Sequence, residues 1–359
     1  MGIDFSFDRW DAVKETFDRW WAGGLDRPVI TWTVEGRDPG RPEPDIPAHG
    51  FTAFHDLSVP AEAIVDRWDY DLSCRTFLGD AFPRVWPNFG PGVLAAFVGA
   101  DLIATPETQT VWFQPQARPE IADIHLEYDP DNVWLRRIED ICRAALDRWG
   151  GLVQVSLTDL GGNLDVLSTF RPAERLLLDL VDHPDEVMRV LWEAHEMWHR
   201  CYARIDAILR PANPGYSAWA GIFSPDPFYM LQCDFAYMIS PQMFARFVRP
   251  ELAATCRKLT NSFYHLDGVG QLAHLDLLLA MGDLDGVQWI PGSGQPQGVH
   301  WANVYRRIAA GGKKMQVLDL ETVELMSREG HGGKVIWCTG TGPDTEARAR
   351  AALERCGVE

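Results

Sequence analysis

The sequence predicts an α/β protein, and within that class a (β/α)8 TIM barrel with an N-terminal helical extension and a long loop or hairpin insertion. From residue 150 onward, short apolar runs alternate with stretches of helical spacing, and eight strand candidates can be placed in the 359 residues. Short buried strands that alternate with helices are typical of a parallel sheet, and eight such units fit a closed barrel. The alternative, an open doubly wound sheet, normally carries a GxGxxG turn after an early strand, and this sequence has none.

The strand candidates are short apolar runs. They lie at 28–34, 82–88, 152–157, 216–222, 262–265, 286–290, 314–318 and 334–338. The helices predicted after residue 170 lie at 172–181, 184–209, 241–260, 269–281, 299–310, 320–329 and 344–356. The stretch 36–61 has five prolines and three glycines, which predicts a long loop, and 109–115 predicts a hairpin arm outside the barrel. We expect one domain over residues 1–359.

Composition and charge exclude several classes of partner. The formal net charge of −18 argues against nucleic acid, because phosphate binding needs clustered Lys and Arg. It argues against an anionic membrane surface for the same reason. A highly anionic substrate would need a local basic pocket set against the overall field, so we expect a small-molecule substrate.

The seven cysteines and the N-terminus predict the compartment. The cysteine number is odd and no CxxC occurs, which indicates reduced thiols rather than a disulfide framework. The first residues lack the basic and apolar regions of a signal peptide, and no apolar run approaches the length of a membrane span. We therefore expect a cytoplasmic protein.

The active site of such a barrel lies at the carboxyl ends of its strands. The fifth strand ends in YHLDG at 264–268, where His265 and Asp267 are two residues apart and so point the same way. The eighth strand ends at Cys338. His, Asp and Cys are all zinc ligands, and three protein ligands with an open position are typical of a catalytic zinc. The pattern predicts Zn²⁺ on His265, Asp267 and Cys338, with a simple His–Asp hydrogen bond and a core cysteine as the alternative.

Aromatic and polar residues beside the strand ends are candidates for substrate binding. An aromatic mouth suits a flat or cationic substrate, although tryptophans also pack strands against helices, and aspartates also cap helices. The substrate-binding candidates are Trp32, Asn88, Asp159, Trp219, Asp234, Tyr264 and Trp289.

One further metal motif occurs in the predicted helix 184–209. The residues His195, Glu196 and His199 match HExxH, the zinc-protease pattern. The helix already has a buried apolar stripe that these histidines flank, and no third ligand motif follows. The pattern therefore favours a solvated edge of a packed helix over a protease site.

Several stretches, in this order, resemble the uroporphyrinogen decarboxylase superfamily. They are PNFGPGVLAAFVGAD at 87–101, the segment 159–187, DFAYMISPQMFARFVRPEL at 234–252, YHLDG at 264–268, and GGKVIWCTGTGPDTEARAR at 332–350. The superfamily contains the decarboxylase and zinc-dependent methyltransferases that work with corrinoid proteins, and it implies a (β/α)8 barrel. The Arg-rich loop that holds the tetrapyrrole in the decarboxylase is missing after the first strand.

The methyltransferase branch carries His-x-Cys after strand five and a late Cys as zinc ligands. By this resemblance His265 and Cys338 match, while Asp267 stands where the first Cys would be. The corrinoid-binding DxHxxG pattern is absent, so any corrinoid would arrive on a separate protein. Three hypotheses follow: a zinc-dependent methyltransferase; a metal-free decarboxylase that uses His265 and Asp267 as an acid–base pair; and a non-catalytic partner of a tetrapyrrole or corrinoid protein.

Overall fold

The computed structural model describes residues 2–359 as a mixed α/β protein with a mainly parallel central sheet. Its strands are β1 (Val29–Glu35), β2 (Arg75–Gly79), β3 (Arg84–Val85), β4 (Ala100–Thr105), β5 (Thr110–Pro115), β6 (Gln154–Val155), β7 (Tyr216–Ser217), β8 (Phe223–Ser224), β9 (Phe228–Gln232), β10 (Asn261–Asp267), β11 (Gly286–Ile290), β12 (Lys314–Val317) and β13 (Val335–Thr341).

The α-helices coincide with most of the predicted ranges, although 241–260 is interrupted by a π-helical turn and 269–281 begins as the 3-10 segment Val269–His274. They are α1 (Phe7–Trp21), α2 (Ala61–Ser73), α3 (Leu94–Phe97), α4 (Val133–Trp149), α5 (Asn163–Phe170), α6 (Ala173–Asp182), α7 (Pro184–Leu209), α8 (Pro241–Met243), α9 (Arg249–Cys256), α10 (Leu275–Leu279), α11 (Ala302–Ala310), α12 (Leu320–Arg328) and α13 (Glu346–Arg355). A π-helical turn joins α8 to α9. Side-chain caps fix some of the boundaries: the Asn132 side chain accepts two backbone N–H groups at the start of α4, and the Asp319 side chain accepts the backbone N–H of Thr322 at the start of α12.

The barrel prediction is confirmed only in part. Strands β2, β1, β13, β12, β11, β10 and β9 form one hydrogen-bonded sheet in that order, and β3 pairs with β6 in a separate parallel pair. Within the described chain the strand pairing does not close into a ring. A closed barrel would place β3 on the side of β1 that faces away from β13. That side is instead paired with the antiparallel strand β2 through five residue pairs. Because β3 and β6 are two residues long, they offer few backbone groups with which to close the gap.

Two strand predictions need correction around residues 216–232. The predicted strand 216–222 is reduced to the two residues of β7, which turn back to pair antiparallel with β8. The strand that neighbours β10 in the sheet is instead β9, whose five residues are all buried. The sequence analysis predicts one strand in this region, whereas the structure has three short ones, β7, β8 and β9. The hairpin arm is present and is formed by β4 and β5, and 36–61 is a loop that contains a short 3-10 turn.

Helix α1 packs under the sheet. It buries Trp10, Val13, Phe17 and Trp20, which are spaced to lie on one helical face. The ring of Phe17 meets Phe223 edge-on, with centroids 5.4 Å apart. Aromatic side chains of α1 therefore pack at the amino ends of the parallel strands, and the carboxyl ends of the strands lie on the opposite side of the sheet. Across residues 2–359, no helix has the length and apolar character that a membrane crossing requires.

Candidate metal and substrate site

Three side chains meet at the carboxyl ends of β9 and β10. One donor atom each from Asp234, His265 and Asp267 lies within 4.8 Å of the other two, and His265 Nε2 is 4.0 Å from Asp267 Oδ2. His265 and Asp267 share a face of β10 because they are two residues apart. Asp234 follows β9, whose last residue, Gln232, pairs with His265. We call Asp234, His265 and Asp267 the acidic triad.

Charge in the acidic triad is only partly compensated. Asp267 Oδ1 is inaccessible to solvent and has no hydrogen-bond partner in the described chain. Desolvation raises the pKa of Asp234; the nearby His265 opposes this shift and the carboxylate of Asp267 adds to it. Asp234 is exposed and the side chain of Asp267 is 41% exposed, so water screens much of the repulsion between the two carboxylates, and a cation between them would screen the rest.

A chain of amides fixes the tautomer of His265. The carbonyl of Ala220 can only accept, so Gln316 presents its Nε2 there at 2.9 Å. The Oε1 of Gln316 then accepts a hydrogen bond from Gln288 Nε2 at 2.7 Å. Gln288 therefore turns its Oε1 toward His265 Nδ1, which must donate. A neutral His265 consequently carries its lone pair on Nε2, the nitrogen that faces Asp267.

The strand register explains why this chain of amides forms. His265 pairs with Gln288, and Gln288 pairs with Gln316, across β10, β11 and β12. Paired residues in neighbouring strands point to the same face of a sheet. Gln288 and Gln316 are both buried, so their amides are held by the sheet rather than by solvent.

The strand neighbours of His265 and Gln288 point to the other face of the sheet and lie in the core. Tyr264 is fully buried and its hydroxyl donates to Gln271 Oε1 at 3.3 Å. Trp289 is fully buried too and packs on Trp301, with centroids 5.3 Å apart. Both were predicted to bind substrate, but the structure places them between the sheet and the helices.

The other substrate-binding candidates divide between the mouth and its supporting loops. Trp219 meets His265 edge-on, with centroids 4.9 Å apart, and so lies at the acidic triad. Trp32 packs on Trp337 instead and lines a separate cavity of about 280 Å³. The side chain of Asn88 bonds the backbone of Gly50 and Gly90.

Asp159 is a buried loop residue. Its Oδ1 accepts the backbone N–H of Gly161 at 2.9 Å. Desolvation raises its pKa to about 7, against the lowering effect of the hydrogen bond from Gly161. This side chain supports the loop after β6.

Cys338 lies outside the acidic triad. It lines a cavity of about 410 Å³ together with Gln288, Gln316 and Arg84, and its Sγ is 3.6 Å from the carbonyl oxygen of Gly221. Strands β10 and β13 both reach the mouth, but β11 and β12 lie between them. At about 4.8 Å per strand, this places the thiol on another part of the rim. The structure thus groups His265 and Asp267 with Asp234 and leaves Cys338 on the wall of the neighbouring cavity.

The HExxH residues do not form the expected solvated edge, which corrects that prediction. Only Glu196 is exposed, and it lies 3.6 Å from Arg200. His195 is buried, and both histidines face Thr255, whose Oγ1 is 3.5 Å from His195 Nδ1 and 3.3 Å from His199 Nε2. In residues 2–359, the acidic triad is the group with metal-ligand spacing, so these histidines form a polar contact between α7 and α9.

This contact predicts acid sensitivity. Desolvation, assisted by His195 and Lys258, lowers the pKa of His199 to about 3. Above its usual pKa near 6.5 the residue is neutral in both states; as the pH falls from there toward 3, only the unfolded chain takes up the proton, so folding stability falls. We expect His199→Gln to reduce the slope of the free energy of unfolding against pH by up to about 1.4 kcal/mol per pH unit. Denaturant melts between pH 4 and 7 measure it, with surface His300→Gln as the control; an unchanged slope in His199→Gln would contradict the prediction.

Comparison with known proteins gives a match in structure alone. No model of a known protein family matches the chain, and no curated protein does. The structure is similar to that of a methyltransferase from Methanosarcina mazei, with a TM-score of 0.60 and 12% identity over 96% of this chain and 97% of that one. A mandelate racemase/muconate lactonizing enzyme from Sulfitobacter sp. aligns over 94% of this chain and 61% of its own, at 12% identity and a TM-score of 0.34. The first likeness shows a shared fold; the second carries no weight.

Three residues at the site were missed by sequence reasoning. Gln288 is the single polar residue of β11, and Gln316 is the single polar residue of β12 after Lys314 at its first position. That pattern was visible, because an isolated amide in a buried strand needs a partner. Arg84 had no such signal, since the predicted strand 82–88 did not show which of its residues face the mouth.

Proposed function

We propose that this protein is a metal-dependent methyltransferase in which Asp234, His265 and Asp267 bind a divalent cation, with zinc as the first expectation. The observation that best supports the proposal is the meeting of these three donor atoms within 4.8 Å of one another, with one oxygen of the Asp267 carboxylate left without a hydrogen-bond partner among residues 2–359. One imidazole and two carboxylates are a donor set that zinc accepts, and three protein ligands leave a position for substrate. The fold shared with a methyltransferase is consistent with this reaction class.

The residues around the acidic triad each have a defined task. A divalent cation held there would supply Lewis-acid chemistry and favour the thiolate form of an incoming thiol. Gln288 keeps the proton of His265 on Nδ1 and so keeps Nε2 free. Trp219 lies against the imidazole and limits its rotation. The adjacent cavity, which shares Gln288 with this network, is where the small substrate would lie.

The methyl group would come from, or pass to, a corrinoid carried by a separate protein. The reaction transfers CH3 from cobalt to the sulfur of the thiolate, both electrons of the cobalt–carbon bond stay on cobalt, and the thiol proton goes to the buffer. We expect anaerobic incubation of the zinc-loaded protein with methylcobalamin and small thiols to give a thioether and reduced cobalamin. The visible spectrum and mass spectrometry measure this, and His265→Ala should lack the activity while exposed His300→Ala retains it. Equal rates in both variants would reject the proposal.

A second candidate is a metal-free decarboxylase. It is favoured by the placement of His265 and Asp267 on one face of β10, with Nε2 4.0 Å from Asp267 Oδ2, because both groups can then reach one substrate as acid and base. Release of CO2 from a small carboxylate at a rate unaffected by chelators would select this candidate. A coloured ligand retained through purification, without turnover, would select a non-catalytic tetrapyrrole- or corrinoid-binding role instead.

A further inference from the structure

The cavity beside the acidic triad is basic in an acidic protein. It encloses about 410 Å³, and its wall includes Arg75 and Arg84 but no Asp or Glu. The chain as a whole has 51 acidic residues and a net charge of −18. Arg75 is paired with Glu35 outside the wall, so among the described residues Arg84 supplies the one uncompensated charge of the cavity; this positive charge is a local reversal of the field, and such a cleft concentrates small anions.

Arg84 is half-buried and has no carboxylate partner in the part of the chain that the structure describes, unlike the two buried arginines, Arg67 and Arg171. Arg171 is paired with Asp179 at 2.5 Å, and Arg67 with Glu43 and Asp71. The fork of Arg84 reaches only neutral oxygens, at 3.4 Å to Ser156 Oγ and 3.3 Å to the Ala218 carbonyl, and no carboxylate of residues 2–359 lies within ion-pair distance. Desolvation lowers its pKa, which shows that the charge is held at a cost.

Gly221 lies against the guanidinium of Arg84. Gly221 has a φ of +81°, and a Cβ placed there would lie 3.3 Å from Arg84 Nη2. The same glycine presents its carbonyl oxygen to Cys338 Sγ. Arg84 and Cys338 thus flank one glycine, and Thr31, Thr33 and Thr339 add hydroxyl donors to the wall.

We propose that Arg84 anchors the oxyanion group of a small substrate, a carboxylate, sulfonate or phosphate, inside this cavity. A planar fork with free N–H groups matches two oxygens of such a group. Gln288 contacts His265 and also lines the cavity, so a molecule anchored on Arg84 would extend toward the acidic triad. The inference rests on the proposed function for the identity of the reaction, but the binding of the anion needs neither metal nor methyl transfer.

Alkylation of Cys338 tests the proposal directly. Iodoacetate and iodoacetamide have nearly the same size and form the same bond: the thiolate sulfur attacks the CH2 carbon, iodide leaves, and the thiol proton goes to the buffer. Only iodoacetate is an anion. We expect the iodoacetate-to-iodoacetamide rate ratio at Cys338 to exceed that at Cys74 and Cys356 by about tenfold. These two half-buried control thiols have acidic neighbours, Glu35 and Asp71 at Cys74 and Glu324 at Cys356. Peptide mass spectrometry of the whole protein gives all three ratios at once.

Variants assign the preference to Arg84. Arg84→Gln should bring the ratio at Cys338 down to that of the control cysteines, Arg84→Lys should retain part of it, and Arg75→Gln should change it little, because Arg75 already pairs with Glu35. Calorimetry with acetate, methanesulfonate and methylphosphonate should show binding to wild type and its loss in Arg84→Gln, and the tightest of the three identifies the anion class. A ratio unchanged by Arg84→Gln, or no binding of any of the three anions to wild type, would overturn the proposal. Failure of methyl transfer with these results intact would overturn only the proposed function.

Discussion

Asp234→Asn is expected to abolish metal binding, whereas Cys338→Ser is expected to retain one equivalent of metal per chain. Asn is nearly isosteric with Asp but offers a neutral oxygen, and the acidic triad then loses one of its two carboxylates. The Cys338 thiol is held at the carbonyl of Gly221 on the cavity wall, outside the group of donor atoms. Burial also raises the pKa of Cys338, which disfavours the thiolate that zinc requires.

Elemental analysis after zinc loading and gel filtration measures the result. Asp276→Asn is the matched control, because Asp276 is an exposed partner of Arg307. His265→Ala and Asp267→Asn should behave as Asp234→Asn does. Loss of metal in Cys338→Ser together with its retention in Asp234→Asn would restore the ligand set predicted from the sequence, His265, Asp267 and Cys338. Thermal melts of each variant exclude a folding defect as the cause of metal loss.

The contrast between these two ligand sets shows what the sequence could and could not predict. Spacing of two residues on a strand places His265 and Asp267 on one face, and the structure brings both to the site. Strand order also predicts that β10 and β13 end on one side of the sheet. It does not give the distance between them along the rim, which depends on the two intervening strands and on the twist of the sheet. The sequence therefore predicts correctly the side of the sheet on which Cys338 lies, but not its distance from the acidic triad.

Whether the sheet closes into a barrel could not be predicted from the sequence, for a similar reason. Alternation of strands and helices predicts parallel pairing, and the ladder from β9 to β13 and on to β1 is parallel throughout. The antiparallel strand β2, Arg75–Gly79, occupies the side of β1 that β3 would occupy in a closed barrel. It makes five residue pairs with β1, whereas β3 has only two residues. Such competition depends on the lengths of both strands, and no periodicity in the sequence encodes it.

Gln288→Met is expected to weaken metal binding by about 10- to 100-fold without unfolding the protein. Met has nearly the length of Gln and suits a buried position, but its thioether sulfur is only a weak acceptor for the Nδ1–H of His265. The imidazole then loses the contact that fixes both its tautomer and its orientation, so part of the population carries the proton on Nε2 and cannot bind a cation there. The affinity falls in proportion to the fraction of His265 that stays competent, and the loss of the fixed ring orientation lowers it further.

Gln316→Met separates this effect from general damage to the sheet. Gln316 lies one strand further from His265 and orients Gln288 without contacting the imidazole, so its loss should cost only a few-fold in affinity; exposed Gln297→Met should cost nothing. Competition with a chromophoric chelator gives the affinities, and the visible spectrum of the Co²⁺-loaded protein should change in Gln288→Met more than in Gln316→Met. The ordering matters more than the size of either effect, because a role confined to packing would make the two buried glutamines equivalent. Equal losses with an unchanged cobalt spectrum would show that the amide chain stabilises the sheet and does not control the histidine.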